Sequence, residues 1–362
     1  MIYLDYAATV PMTDEAKKVY IETATEYFGN ANSGHIAGQK AQSLLDYCRG
    51  QLSQLLALPA TSLLFTSGGT ESNHLALQLS LNYLPADKKQ VLVSPLEHSS
   101  ILNFFASQPE IELTILPLEN GQVTIKSLAS SWTERTGLVV VQQINSITGI
   151  IQNIEELSSY VREKGGLFHC DCVQSFGKFP LPKNVTSWSS ASHKIGGPKG
   201  CGLLYLNPEI SFTPIIKGTV HEQGFRAGTI DLPSIASFTT TTYEAIQHQA
   251  AFARQVDELN QFILKKLPNW ENFSTYTTYF GIIGLFSPKK FGDSIMEELS
   301  EQGIYISTSS SCHTGGMIDP ALIALNFTTE KAQRFIRISF GKKTTLSEIE
   351  IFLSTLKKIE TN

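Results

Sequence analysis

The chain has 362 residues, 42% hydrophobic and 17% charged, which excludes a disordered chain and provides for a large core. Its 28 Lys and Arg against 33 Asp and Glu give a net charge of -5 with no block of like charge, so neither nucleic acid nor an anionic membrane surface is expected as a partner. The N-terminus MIYLDYAATV lacks a secretory pattern, no apolar run could span a membrane, and the odd count of five cysteines fits a reducing, cytoplasmic setting better than a disulfide framework.

In chain order, the first half alternates strand and helix signals. The apolar run 137–141 reads as a buried strand, and 154–164 as a helix stopped by Gly165-Gly166. Residues 167–171, 187–192 and 202–206 read as further strands. This alternation predicts βαβ units and a mainly parallel, doubly wound sheet with helices on both faces. One long helix is predicted over about 237–266. After Pro268 come strand signals at 281–286 and 335–340. A final helix is opened by the capping box Thr345-Leu346-Ser347-Glu348, with Ile349, Phe352, Leu353 and Leu356 on one face. We expect a large α/β domain over 13–250 and a smaller α+β domain built from 1–12 and 251–362.

Four short stretches carry chemistry. Lys194 follows a strand and precedes the glycine-rich run Gly196-Gly197-Pro198-Lys199-Gly200, where backbone can approach a ligand closely. A lysine in such a pocket can form a Schiff base with a carbonyl, and a solvated surface turn is the equal alternative. Asp171 ends an apolar strand, where open α/β sheets bind ligands, and an acid there can pair with a protonated pyridine nitrogen, the alternative being an Asp that caps the next element. Its neighbours Cys170 and Cys172 are one residue apart, too close for a zinc knuckle, and alternate away from the face of Asp171, so no metal site is expected. In Thr66-Ser67-Gly68-Gly69-Thr70 an apolar run turns into a helix start, whose free N–H groups suit a phosphate. His98, just after a short strand, can stack on a cofactor ring or move protons, although by itself a histidine there is more often a helix-start residue with no chemistry.

These pieces together resemble the fold-type I pyridoxal phosphate enzymes and, among them, the cysteine desulfurases of the class V aminotransferase group. The resemblance runs from Tyr3 to about Glu350. Besides the stretches above it is carried by Tyr3-Leu4-Asp5-Tyr6-Ala7-Ala8-Thr9, by Phe28 to His35, by Glu97-His98, by Gln174-Ser175 after Cys172-Val173, by His221 to Thr229 and by Ile336-Arg337-Ile338-Ser339, all in the family's order. It implies pyridoxal 5'-phosphate as cofactor, Lys194 as the Schiff-base lysine, Asp171 as the partner of the ring nitrogen, Gln174 near the phenolic oxygen, and Asn145 among the cofactor-binding residues, Ser146 standing where the family's second Asn helps hold that oxygen. It also implies His98 stacked on the ring and Gly69, Thr70 and His193 around the phosphate. Thr229 would reach the phosphate of a neighbouring subunit, which implies a homodimer with shared sites. Arg337 would grip the substrate carboxylate by its planar fork, and Asn30 and His35 would line the substrate pocket.

Cys312 lies in a run of small polar residues, Ser307 to Gly316, that packs poorly and suits an exposed loop. The desulfurases carry their persulfide cysteine at the matching place, and His313 beside it could lower the thiol pKa if charged. The expected activity is therefore conversion of L-cysteine to L-alanine, with the sulfur held on Cys312 for a protein acceptor in iron–sulfur assembly or thiolation. The chain departs from the family at Ser146, Ala191 and Gln223, near the cofactor and the dimer loop. The alternatives are a selenocysteine lyase, a cysteine lyase or an aminotransferase of the same fold, or a non-catalytic interaction protein.

Overall fold

The computed structural model describes residues 1–219, 221–309 and 318–361. Its main sheet has seven strands in the order Leu63–Thr66, Gly202–Leu206, Ser187–Ala191, Leu167–Asp171, Thr136–Val140, Gln90–Val93 and Glu112–Ile115. The five from Ser187–Ala191 to Glu112–Ile115 pair in parallel, and Gly202–Leu206 runs antiparallel to both of its neighbours. Strand Thr136–Val140 is buried along its whole length, which suits its apolar run Leu138-Val139-Val140. The apolar faces of the helices cover the sheet. Helix Ile154–Glu163 buries Ile154, Leu157 and Val161, and Leu232–Gln247 lies against Asp14–Glu26 and Ile36–Leu56.

A second core joins the two ends of the chain. Leu4 and Ala7 pack in one cluster with Phe252, Val256, Ile283, Ile338, Phe352 and Leu356. Around it an antiparallel sheet runs in the order Ser307–Thr308, Phe335–Ser339, Ile282–Phe286, Glu271–Asn272, and Ile2–Tyr3 pairs in parallel with Ile304–Tyr305. The capping box expected at Thr345 is formed: Thr345 N donates to Glu348 Oε2 at 2.8 Å and Glu348 N to Thr345 Oγ1 at 3.3 Å. The single helix expected over 237–266 is two helices, Leu232–Gln247 and Gln249–Lys266, meeting at His248. Apolar positions continue on both sides of His248, so periodicity does not mark the break between the two helices.

Candidate active site

Because the parallel strands run the same way, their carboxyl ends deliver Ser94 to His98, Val141 to Ser146, Asp171 to Gln174 and Ser192 to Lys194 to one edge of the sheet. With Gly69 and Thr70 at a helix start, and Ala7, Ala8 and Arg337 from the second core, they enclose a cavity of about 280 Å³.

Asp171 is buried at its wall. Its Oδ1 accepts from Val173 N and its Oδ2 from Asn73 Nδ2, each at 2.8 Å. Asn73 also donates to Ser100 Oγ at 3.1 Å, and its Oδ1 lies 3.1 Å from His169 Nε2, whose other nitrogen is 2.8 Å from Ser187 Oγ. Burial lowers the His169 pKa to about 4, so this ring is neutral at pH 7 and the network around Asp171 contains no cation. Among the described residues Asp171 has only neutral hydrogen-bond partners, and its carboxylate retains lone pairs for a further donor.

Lys194 ends a short 3-10 turn, Ser192–Lys194, and its Nζ donates to the carbonyls of Ala7 at 2.7 Å and Ala8 at 2.9 Å. The turn depends on its glycines. A Cβ on Gly197 would stand 2.0 Å from Ser192 Oγ, and Gly196 has φ +88. His193 Nδ1 lies 3.1 Å from Thr9 Oγ1, and Val10 N donates to His193 O, so the N-terminal segment straps the lysine turn. Burial, then the charges of Lys194, Lys199 and Lys178, lower the His193 pKa to about 4.

His98 caps helix Ser99–Ala106, its Nδ1 accepting from Ser100 N at 3.1 Å, and its exposed ring lines the cavity. Beside it, burial lifts the Glu97 carboxyl well above the usual carboxylate range while Oε1 accepts from Gln142 N. Gly68, at φ +143, leads into helix Gly69–Tyr83, whose first N–H groups have no partner within the helix. Arg337 is only 2% exposed; its Nη2 pairs with Asp5 Oδ1 at 2.6 Å and its Nη1 donates to Ser146 O at 2.9 Å. Three of its wall residues keep a buried polar atom without a partner among the described residues: Gln142 Nε2, Gln174 Oε1 and Arg337 Nε.

Thus Gly69, Thr70, His98, Asp171, Gln174, His193, Lys194 and Arg337 share one cavity. Asn145 does not line it. Its Oδ1 accepts from Ile147 N, Thr148 N and Thr148 Oγ1 and its Nδ2 donates to Leu96 O, so its amide is consumed in shaping the loop while Ser146 lines the cavity. Asn30, His35 and Thr229 also stand outside it, exposed on this chain's surface. Two of their segments meet, since Asn32 Nδ2 contacts His221 Nε2, and His221 Nδ1 lies 2.6 Å from Gly228 O beside Thr229. Cys312 and His313 lie outside the described residues, but Ser307, shortly before them, pairs in register with Arg337. The other four cysteines are buried, and burial pushes the thiols of Cys48, Cys170 and Cys201 up. Sequence reasoning missed Asn73 and Asp5. Asn73 had a local signal, one helical turn beyond Gly69 on the same face. Asp5 had none, because its partner Arg337 is far away in the chain.

The class-V aminotransferase family model matches residues 2–352. The NifS protein of Bacillus subtilis (strain 168), provisionally named a cysteine desulfurase, is 41% identical over 370 residues, covering 98% of this chain and 93% of its own length. The cysteine desulfurase IscS of Rickettsia bellii is 31% identical, covering 96% of this chain and 88% of its own. A solved NifS-like protein superposes with a TM-score of 0.92 at 27% identity, over 99% of both chains. The motifs, the parallel sheet with its site at the strand ends, and these full-length similarities agree, and the chain belongs to the class-V aminotransferase family, in its cysteine desulfurase branch.

Proposed function

We propose that this enzyme converts L-cysteine to L-alanine with pyridoxal 5'-phosphate held in the 280 Å³ cavity, leaving the sulfur as a persulfide on Cys312. The observation that carries the reading is Asp171, a buried carboxylate at the cavity wall with no cationic partner among the described residues. A protonated pyridine nitrogen supplies that partner, and the free N–H groups at Gly69 and Thr70 suit the phosphate. The unpartnered Gln174 Oε1 and Gln142 Nε2 leave polar capacity for the rest of the cofactor. Bound there, pyridoxal phosphate would act as an electron sink for the substrate carbon.

The chain's own groups then divide the work. Arg337, fixed on two sides by Asp5 and Ser146, keeps Nε for the substrate carboxylate. Lys194 would hold the cofactor, and its amine, once freed, would take the proton from Cα and return one to the product. His98, which lines the same cavity, would stack on the cofactor's ring. The Cys312 thiolate forms an S–S bond to the substrate sulfur as the Cβ–S bond breaks. That electron pair leaves with the three-carbon fragment, which collects protons and departs as L-alanine. Supporting Cys312 are the burial of the other four cysteines and the pairing of Ser307, just upstream, with Arg337. Asn30, His35 and Thr229, grouped outside this chain's own cavity, serve the site of a second copy in a homodimer, and a protein acceptor in the cytoplasm takes the sulfur. The domain division is 13–250 against 1–12 with 251–362, in keeping with the two separate cores.

The test is release of alanine and sulfide from L-cysteine under reducing conditions. Equal amounts are expected, with sulfide and protein persulfide lost in Cys312→Ala while the cofactor stays bound. Wild-type sulfide release by that variant sinks the scheme.

A further inference from the structure

Lys194 lines a second cavity as well, of about 400 Å³, between the two cores. Ile195 and Ala245 form its wall on one side and Phe252, Ile282 and Phe340 on the other, so most of its surface is apolar. It contains another amine. Lys178 follows Gly177, whose φ of +72 and packing on Ala245 and Ile195, where a Cβ would meet side-chain carbons at 2.9 and 3.2 Å, bring the loop after Asp171 against this cavity. No hydrogen bond or ion pair holds the Lys178 ammonium among the described residues.

The charged and titratable groups that share the walls with Lys178 come from five elements. They are Lys194 from the lysine turn, Tyr6 from the N-terminal segment, Glu244 and His248 from the helix junction, Tyr279, and Lys342 with Lys343. Lys343 is engaged with Asp14, and Lys342 donates to the backbone carbonyl of Glu244. Positive charge therefore exceeds negative charge around an apolar space, and two ammonium groups facing the same low-dielectric cavity repel. Burial, and then the charge of Lys194, lower the Lys178 pKa to about 7.

We propose that Lys178 is a positioning residue for Lys194: across this cavity the two amines share one positive charge around neutral pH, Lys178 releasing its proton so that Lys194 keeps one. The inference rests on Lys194 being the lysine that carries the cofactor. Its consequence is that charge at position 178 sets the pH at which the Lys194 nitrogen deprotonates.

The visible absorbance band of the cofactor-loaded protein, titrated with alkali, reads that proton directly. Lys178→Arg keeps a permanent charge and should move the midpoint down by about one pH unit. Lys178→Met removes the charge and should leave the midpoint at or above the wild-type value. A Lys178→Arg midpoint equal to wild type overturns the inference, as does a Lys178→Met midpoint that falls as far as that of Lys178→Arg, because any structural disturbance would then suffice. Absence of the band in the unaltered protein overturns the reading of Lys194, and this inference with it. Competitive acetylation of the unaltered holoenzyme gives a second measurement that needs no variant. Lys178 should be labelled near neutrality, ahead of the surface lysines, and labelling only in step with them refutes the shared charge.

Discussion

Glu222 offers the sharpest test of how the loop leading to Thr229 is held. Its side chain is 1% exposed and makes a two-pronged pair with Arg49, at 2.6 Å to Nη2 and 3.1 Å to Nη1. Its Oε2 also accepts from Phe65 N at 2.8 Å, and the Arg49 guanidinium sits 4.7 Å over the Phe65 ring. Glu222→Ala leaves Arg49 with Leu63 O as its remaining polar partner and orphans the Phe65 N–H. Losing one member of a buried pair costs about 3–5 kcal/mol, and the low end applies because the Arg49 side chain keeps 17% exposure. The orphaned N–H adds about 1 kcal/mol, for a total near 4 kcal/mol. Glu222→Gln keeps the shape and an acceptor for Phe65, and should lose about 2 kcal/mol. Glu222 also holds φ 40, so Gly should be better tolerated than Ala by about 1 kcal/mol. The assay is thermal unfolding of the holoenzyme, where these losses lower the midpoint by about 8 °C for Ala and about 4 °C for Gln. A double-mutant cycle with Arg49→Met should show about 2 kcal/mol of coupling. Additive effects, or an Ala midpoint within about 1 °C of the parent, refute the reasoning.

Three further outcomes follow from the same geometry. Gly197→Ala places a methyl 2.0 Å from Ser192 Oγ and 2.9 Å from Thr241 Oγ1, and should weaken cofactor retention on dialysis and destabilise by about 1–3 kcal/mol; full retention with an unchanged melting midpoint contradicts the crowding. Arg337→Lys keeps the charge but loses the fork, so KM for L-cysteine should rise about tenfold with a smaller change in kcat, and a kcat loss at constant KM argues against a carboxylate role. His169 has a folded pKa of about 4, below its unfolded value, so its share of stability is complete above about pH 6.5 and is lost as pH falls towards 4. That share is at most about 3 kcal/mol. His169→Gln should flatten the fall in urea midpoint over this window, and an equally steep fall in the variant removes His169 from the account.

What could be read from the residues was what local patterning carries. The strands at 167–171 and 202–206 match Leu167–Asp171 and Gly202–Leu206, because strands buried on both faces, parallel in the first case and antiparallel in the second, are short, mostly apolar runs bounded by turn residues. Lys194, Asp171, Gly69, Thr70 and His98 were identifiable because each sits where a strand gives way to a turn or helix, and a parallel sheet brings those places together. The break at His248 was not readable, since both helices continue an apolar stripe across it.

The sequence by itself determined the alternating elements, the order of the motifs, and through them the family. Tertiary structure alone decided which side chains are free to act. Asn145 looked like a cofactor ligand, but its amide is consumed by Leu96, Ile147 and Thr148, and its neighbour Ser146 lines the cavity instead. Arg337 is aimed by Asp5 from the opposite end of the chain, and Lys178 shares a cavity with Lys194. The Asp5–Arg337 pair and the Asn145–Leu96 bond join groups distant in the chain, set by how its segments close on each other. Local propensity and periodicity act over a turn or two of chain and carry no information about such closures.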